Sequence, residues 1–135
     1  MKVADASVAV AAASPWHESH GAAFDALAAT RPGIVAHAAI ETYSALTRMP
    51  EPHRMHPAEA LLFLEDWFED RWIGLAAPAQ RRLLARLSAA GIHGGATYDA
   101  LIGATAAAEG ATLVTADRRA LVSYALVGAD VELVA

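Results

Sequence analysis

Five short apolar runs punctuate this chain: Val3–Ala4, Gly33–Ala36, Trp72–Leu75, Ala111–Thr115 and Val131–Val134. Each is too short for a helix and suits a buried strand. Between them lie longer stretches in which apolar residues recur at helical spacing. One such stretch follows Asp5. A second is predicted to begin at Ser14 as N-cap with Pro15 at the first helical position. Ile40, Tyr43, Ala45, Leu46 and Thr47 mark a third, which ends before Pro50. Pro50 and Pro52 make a loop, and Pro57 with Glu59 opens a helix carrying Leu61, Leu62, Leu64, Trp67 and Phe68. Gln80–Ala90 is a helix stopped by Gly91, and Arg118–Leu126 is another. The stretch Tyr98–Glu109 is apolar nearly all round, which predicts a buried helix. Strands alternating with helices imply the α/β class, with a parallel sheet covered on both faces. No repeat or composition break divides the chain, so residues 1–135 are expected to form one domain.

The acids change the picture. Asp5 ends the first strand, and Glu41 is expected in the first turn of the helix after the second strand. Asp99 begins the apolar helix, and Asp117 stands just after the strand ending at Thr115. All four therefore belong at the carboxyl ends of strands, where ligands collect in open parallel sheets. Taken singly, each could be a helix cap or complement a helix dipole. Capping explains Glu41 and Asp99 poorly, because a charge beside Ile40 or beside Leu101 and Ile102 costs several kcal/mol in desolvation unless it is paired or metal-bound. Four converging carboxylates stay ionised only around a cation; otherwise some take up protons. An oxygen-only ligand set favours Mg²⁺, with Mn²⁺ as a substitute, over zinc.

Composition narrows the class. The 135 residues are 56% hydrophobic and 19% charged, which excludes intrinsic disorder. There is no cysteine, so disulfides, thiolate zinc sites and thiol nucleophiles are all excluded. Charges interrupt every apolar stretch before it could span a membrane. Asp5 also breaks the N-terminus where a signal peptide would be apolar. A cytoplasmic protein without membrane association is the expectation. The net charge of −5 argues against a simple nucleic-acid binder. Local charge answers this, since bound Mg²⁺ would reverse the sign at the acids, and Arg118, Arg119 and Arg48 could follow a phosphate backbone.

Other signals carry less. His17/His20 and His53/His56 are paired three apart but lack the zinc-protease pattern. His93-Gly94-Gly95 is no phosphate loop. Trp67, Phe68 and Trp72 sit among aliphatic residues and read as core or dimer interface. Receiver domains and haloacid-dehalogenase phosphatases also place aspartates at strand ends, but both need a lysine well down the chain. The only lysine here is Lys2.

Four segments together resemble one family: Val3-Ala-Asp-Ala-Ser7, Ile40-Glu-Thr-Tyr-Ser-Ala-Leu-Thr-Arg48, Tyr98-Asp-Ala-Leu-Ile-Gly-Ala-Thr-Ala106 and Ala111-Thr-Leu-Val-Thr-Ala-Asp-Arg-Arg119. The sequence resembles the PIN-domain ribonucleases, and within them the VapC toxins of toxin–antitoxin pairs. The resemblance implies a three-layer α/β/α sandwich with a mostly parallel central sheet. It implies a Mg²⁺-dependent endoribonuclease that hydrolyses RNA and is inhibited by a small cognate antitoxin, and a homodimer is expected. Asp5, Glu41, Asp99 and Asp117 match the family's metal-binding acids, and Ser7 and Thr115 match its supporting hydroxyls. Ala6 departs from the threonine frequent there. Ala120 and Leu121 supply no further carboxylate, which leaves one or two metal ions open. The competing expectations are a non-catalytic interaction module of the same fold and a DNase.

Overall fold

The computed structural model describes residues 1–134; the last residue of the expected domain lies outside the described residues. The strands are β1 (Lys2–Ala4), β2 (Gly33–Val35), β3 (Trp72–Ile73), β4 (Thr112–Thr115) and β5 (Asp130–Leu133). The helices are α1 (Ala6–Ala13), α2 (His20–Thr30), α3 (Ala36–Thr47), α4 (Pro57–Phe68), α5 (Ala77–Ala90), α6 (Ala96–Ala108) and α7 (Leu121–Leu126). A single 3₁₀ turn, Arg118–Ala120, leads into α7.

All five strands are parallel, in the order β3-β2-β1-β4-β5. The chain steps outward on one side from β1 to β3, then crosses to β4 and steps outward on the other. Right-handed crossovers therefore put α1–α4 on one face and α5–α7 on the opposite face. The helix contacts agree: α1 packs on α2 and α3, and α3 on α4, while α6 packs on α5 and α7. The result is an α/β/α sandwich. The order reverses between β1 and β4, and their carboxyl ends form the crevice where such sheets bind ligands. Val3, Ala4, Leu113 and Val114, on these two strands, are buried in the centre of the core.

Several boundaries differ from the expected ones, for local reasons. Pro15 does not open a helix. It pushes Ser14 into extended backbone (φ −118°, ψ 93°) and so closes α1, and α2 starts only at His20. Helix α3 begins at Ala36 rather than near Ile40, because alanine-rich helix formers follow the strand directly. Glu41 consequently sits in the second turn of α3, not the first. Strand β3 is two residues, not four, since it is an edge paired only with the short β2. Helix α5 begins at Ala77, before the expected Gln80, with a proline in its opening turn. The Arg118–Leu126 helix is broken into a 3₁₀ turn and α7, because Asp117 caps the tighter turn through Arg119 N–H. Strand β5 starts at Asp130, one residue early, in register with Thr112 of β4. Helix α6 is buried along Ala100, Ile102, Gly103, Thr105 and Ala106, but Tyr98 is exposed. Phe68 is core, Trp67 packs half-buried against Phe24, and Trp72 is partly exposed at the β3 edge.

One close approach defines the β2 edge. A Cβ on Gly33 would stand 2.4 Å from the carbonyl oxygen of Arg71, a backbone atom that cannot swing away. Gly33→Ala is expected to cost about 2–3 kcal/mol of stability, read as a lower urea midpoint.

Candidate active site

Asp5 leaves β1 and caps α1, accepting the Val8 N–H at 3.1 Å on Oδ1. Ser7 Oγ donates to the same oxygen at 2.6 Å. The buried hydroxyl of Tyr124, on α7, donates to Oδ2 at 2.7 Å. Because the Ser7 proton is committed to Asp5, Thr115 must be the donor across its 3.1 Å contact with Ser7 Oγ. Ser7 Oγ also accepts the Ala116 N–H at 2.9 Å, and Thr115 Oγ1 accepts the Asp117 N–H at 3.0 Å. A directed chain of hydroxyls thus runs Thr115 to Ser7 to Asp5, anchored on the backbone that follows β4. Ser7 and Thr115 lock the ends of β1 and β4 together and hold Asp5 in one orientation. Asp5 is 2% exposed. Burial pushes its carboxyl above the ordinary range, and the Ser7, Tyr124 and Val8 hydrogen bonds pull the other way.

Asp117 follows β4 and accepts the Arg119 N–H at 2.9 Å, so it too is a cap. Glu41 and Asp99 cap nothing. Glu41 Oε1 is buried with no hydrogen bond. His37 Nε2, one helical turn away, stands 3.0 Å from it. Burial raises the Glu41 carboxyl, His37 opposes the rise and Asp5 adds to it. Asp99 is raised by burial first, then by Asp117, Glu41 and Asp5 in turn, with Arg119 opposing. Asp99 thus feels all three other acids, which places the four in one electrostatic neighbourhood. Tyr98, just before Asp99, stacks on His37 with centroids 5.1 Å apart and planes 3° from parallel. This pair ties α6 to α3, and with them Asp99 to Glu41.

An open cavity of about 400 Å³ lies at this edge of the sheet. Ser7, Glu41, Asp117, Arg48 and Arg119 line it; Asp5 and Asp99 do not. Arg48 is steadied by a 2.9 Å hydrogen bond to Ser44 Oγ. Arg118 is exposed and outside the lining. Two residues that sequence reasoning missed belong here. His17 lines the cavity, its Nδ1 accepting the Ser19 N–H at 3.0 Å. Its spacing to His20 lacks the zinc-protease pattern and does not point to this cavity. Tyr124 carried no signal, since a tyrosine on an apolar helix reads as core. Burial and the neighbouring Asp5 carboxylate push its hydroxyl far above its ordinary range, so it remains a donor.

Among the described residues, no three histidine or acidic side chains already stand gathered tightly enough to hold an ion. The donor chemistry nevertheless fits a hard divalent cation: the ligand set is oxygen-only, and the carboxylates of Glu41 and Asp99 are each raised by burial and by neighbouring acids.

Comparison with known proteins agrees with the fold. Residues 2–125 match the sequence profile of the PIN domain. Ribonuclease VapC40 of Mycobacterium tuberculosis is 46% identical over 132 residues, 96% of each chain. Ribonuclease VapC27 of the same organism is 35% identical over 131 residues, 97% of this chain and 95% of that one. The crystal structure of VapBC2 from Rickettsia felis, bound to a DNA fragment from their promoter, superposes with a TM-score of 0.67 at 20% identity. It covers 98% of this chain and 97% of that one. At that identity the likeness speaks for the fold alone.

Proposed function

This chain belongs to the PIN domain family, and from that premise we propose that it is an endoribonuclease, the toxin of a toxin–antitoxin pair, working with Mg²⁺ at Asp5, Glu41, Asp99 and Asp117. The observation that carries the reading is the pair Glu41 and Asp99. Neither caps a helix, and both are pushed toward protonation by burial and by the other acids, in Glu41 even with His37 3.0 Å away. A fold does not keep such groups for its own stability.

A divalent ion bound among these acids supplies positive charge for a phosphoryl oxygen and acidifies the water it holds. The chain's own residues do the rest. Asp5, fixed by Ser7, Val8 and Tyr124, would be the rigid ligand. Glu41 and Asp99 approach from opposite helical layers. Asp117, held by its Arg119 cap, faces the cavity together with Glu41, so these two are the carboxylates within reach of a water there. Arg119 and Arg48 on the cavity wall counter the phosphate charge that four acids would otherwise repel.

Purified protein is expected to cut RNA with Mg²⁺ or Mn²⁺ and to stop on chelation. RNA and DNA offered together should show RNA consumed first; preferential DNA cleavage would replace this reading with a DNase. Arg119→Ala is expected to raise KM for RNA several-fold and to lower the salt slope of binding by about 1, with kcat little changed. The same reading places the protein in the cytoplasm, with a small antitoxin and a second copy of itself as partners. No helix among the described residues is long and apolar enough to cross a membrane. The exposed apolar side chains Ile40 on α3 and Leu62 on α4 are surface available to such protein partners. Co-expression of a small protein encoded beside this gene should relieve growth arrest.

A further inference from the structure

An ionised carboxylate has about four in-plane lone-pair positions, two on each oxygen. On Asp5, Oδ1 takes the Ser7 hydroxyl and the Val8 N–H and is full. Oδ2 takes the Tyr124 hydroxyl and has one position left. The geometry points to Tyr124 as a positioning residue of the metal site: its hydroxyl fills one lone pair of Asp5 Oδ2 and so directs the remaining one, on that same oxygen, as the single donor to a divalent cation. Asp5 is then a one-oxygen ligand whose aim is set from α7, across 119 residues of chain.

The tyrosine is held firmly enough for this task. Its ring is buried, and Gly103 on α6 leaves room for it: a Cβ there would stand 3.0 Å from Tyr124 Cδ1 and 2.7 Å from Val127 Cγ2. The Tyr124 carbonyl accepts the Ala129 N–H at 3.0 Å, tying the end of α7 to the approach to β5. Partners that hydrogen-bond a metal ligand commonly set 10–100-fold of metal affinity, whereas a tyrosine that merely fills a core does not touch affinity at all.

The inference rests on Asp5 being a ligand, and the experiment separates the two. Mn²⁺ is titrated by electron paramagnetic resonance into wild type, Tyr124→Phe and Asp5→Asn at one pH, beside far-UV circular dichroism and melting of each. The expected result is tight Mn²⁺ uptake by wild type, about 10–100-fold weaker uptake by folded Tyr124→Phe, and loss of the tight site in Asp5→Asn. Wild-type affinity in Tyr124→Phe, whatever its melting point, overturns the role of Tyr124 and leaves Asp5 standing. No uptake by wild type, or equal uptake by Asp5→Asn, overturns the ligand reading and this inference with it. Should Tyr124→Phe not fold, the wild-type protein decides alone. The Tyr124 hydroxyl proton, shielded from exchange, should shift in its NMR spectrum on saturation with Mg²⁺. An unmoved resonance in metal-saturated protein overturns the inference.

Discussion

Replacing Asp99 by Asn is expected to lower RNA cleavage by at least about 10³-fold while the protein stays folded. A transition-state stabilisation of several kcal/mol is at stake when a site loses a metal ligand, and about 4 kcal/mol corresponds to that factor. Structure survives because Asp99 accepts no hydrogen bond from the fold, so the amide leaves no donor stranded. Asp5→Asn is expected to be as inactive. Its amide oxygen can keep Ser7 and Val8, and its NH₂ group can face Tyr124, whose hydroxyl turns to accept. Single-turnover cleavage of a labelled RNA, with circular dichroism of the same samples, checks both variants. Full activity in folded Asp99→Asn would remove Asp99 from the reaction; no cleavage of any RNA by wild type, with growth arrest kept by Asp99→Asn, would favour a non-catalytic interaction module.

The second large effect is on stability, and it reverses with metal. In Asp5, Glu41 and Asp99 the folded-state pKa is raised, burial being the first cause in each. A carboxyl raised on folding means that the native state holds more protons than the unfolded chain between the ordinary Asp and Glu values and the raised ones. The stability this contributes is complete below the ordinary range, near 3.8 for Asp and 4.5 for Glu, and is lost as pH rises through the raised values. Metal-free protein should therefore melt lower toward neutral pH than a reference without the charge. The Asp99→Asn variant is that reference: its melting point should match wild type in acid and exceed it near neutrality. Mg²⁺ or Mn²⁺ at about 100 times its Kd should add about 2.7 kcal/mol to wild type, roughly a 10 °C rise in Tm, with much less gain in Asp99→Asn. Scanning calorimetry with and without chelator measures all of this. A wild-type Tm indifferent to divalent ions at neutral pH would count against a cation among the acids.

The parallel α/β frame was legible because its signal is local. Short apolar runs and helical periodicity alternate from Val3 to Val134, and burial follows from that pattern. The location of Asp5, Asp99 and Asp117 was legible for the same reason, since each closely follows a strand or lies in the first turn of a helix. What escaped depended on contacts between distant residues or on competing local rules. Ser14-Pro15 satisfies the rule for a helix start and equally the rule for a helix stop, and only the buried Ser14 after α1 decides between them. Glu41 moved a full turn because Ala36 suits the end of a strand and the start of a helix alike. Capping proved true of Asp5 and Asp117 and not of Glu41 and Asp99, a distinction that needs the helix ends to be known. Tyr124 could not be found from its neighbours in sequence, because its role exists only where α7 meets the end of β1.

The pairing of β1 with β4 also governs when this molecule can come into being. Residues 2–4 lie at the centre of the sheet, yet their neighbour on one side is Thr112–Thr115, and Asp5 meets its last hydrogen-bond donor only at position 124. A nascent chain emerging from the ribosome cannot close that pairing until residues 112–115 are out, and such long-range contacts form slowly. Fragments ending before α7 would lack the finished cleft, so a cell making this protein is exposed to its cutting activity only after the chain through Tyr124 has been made.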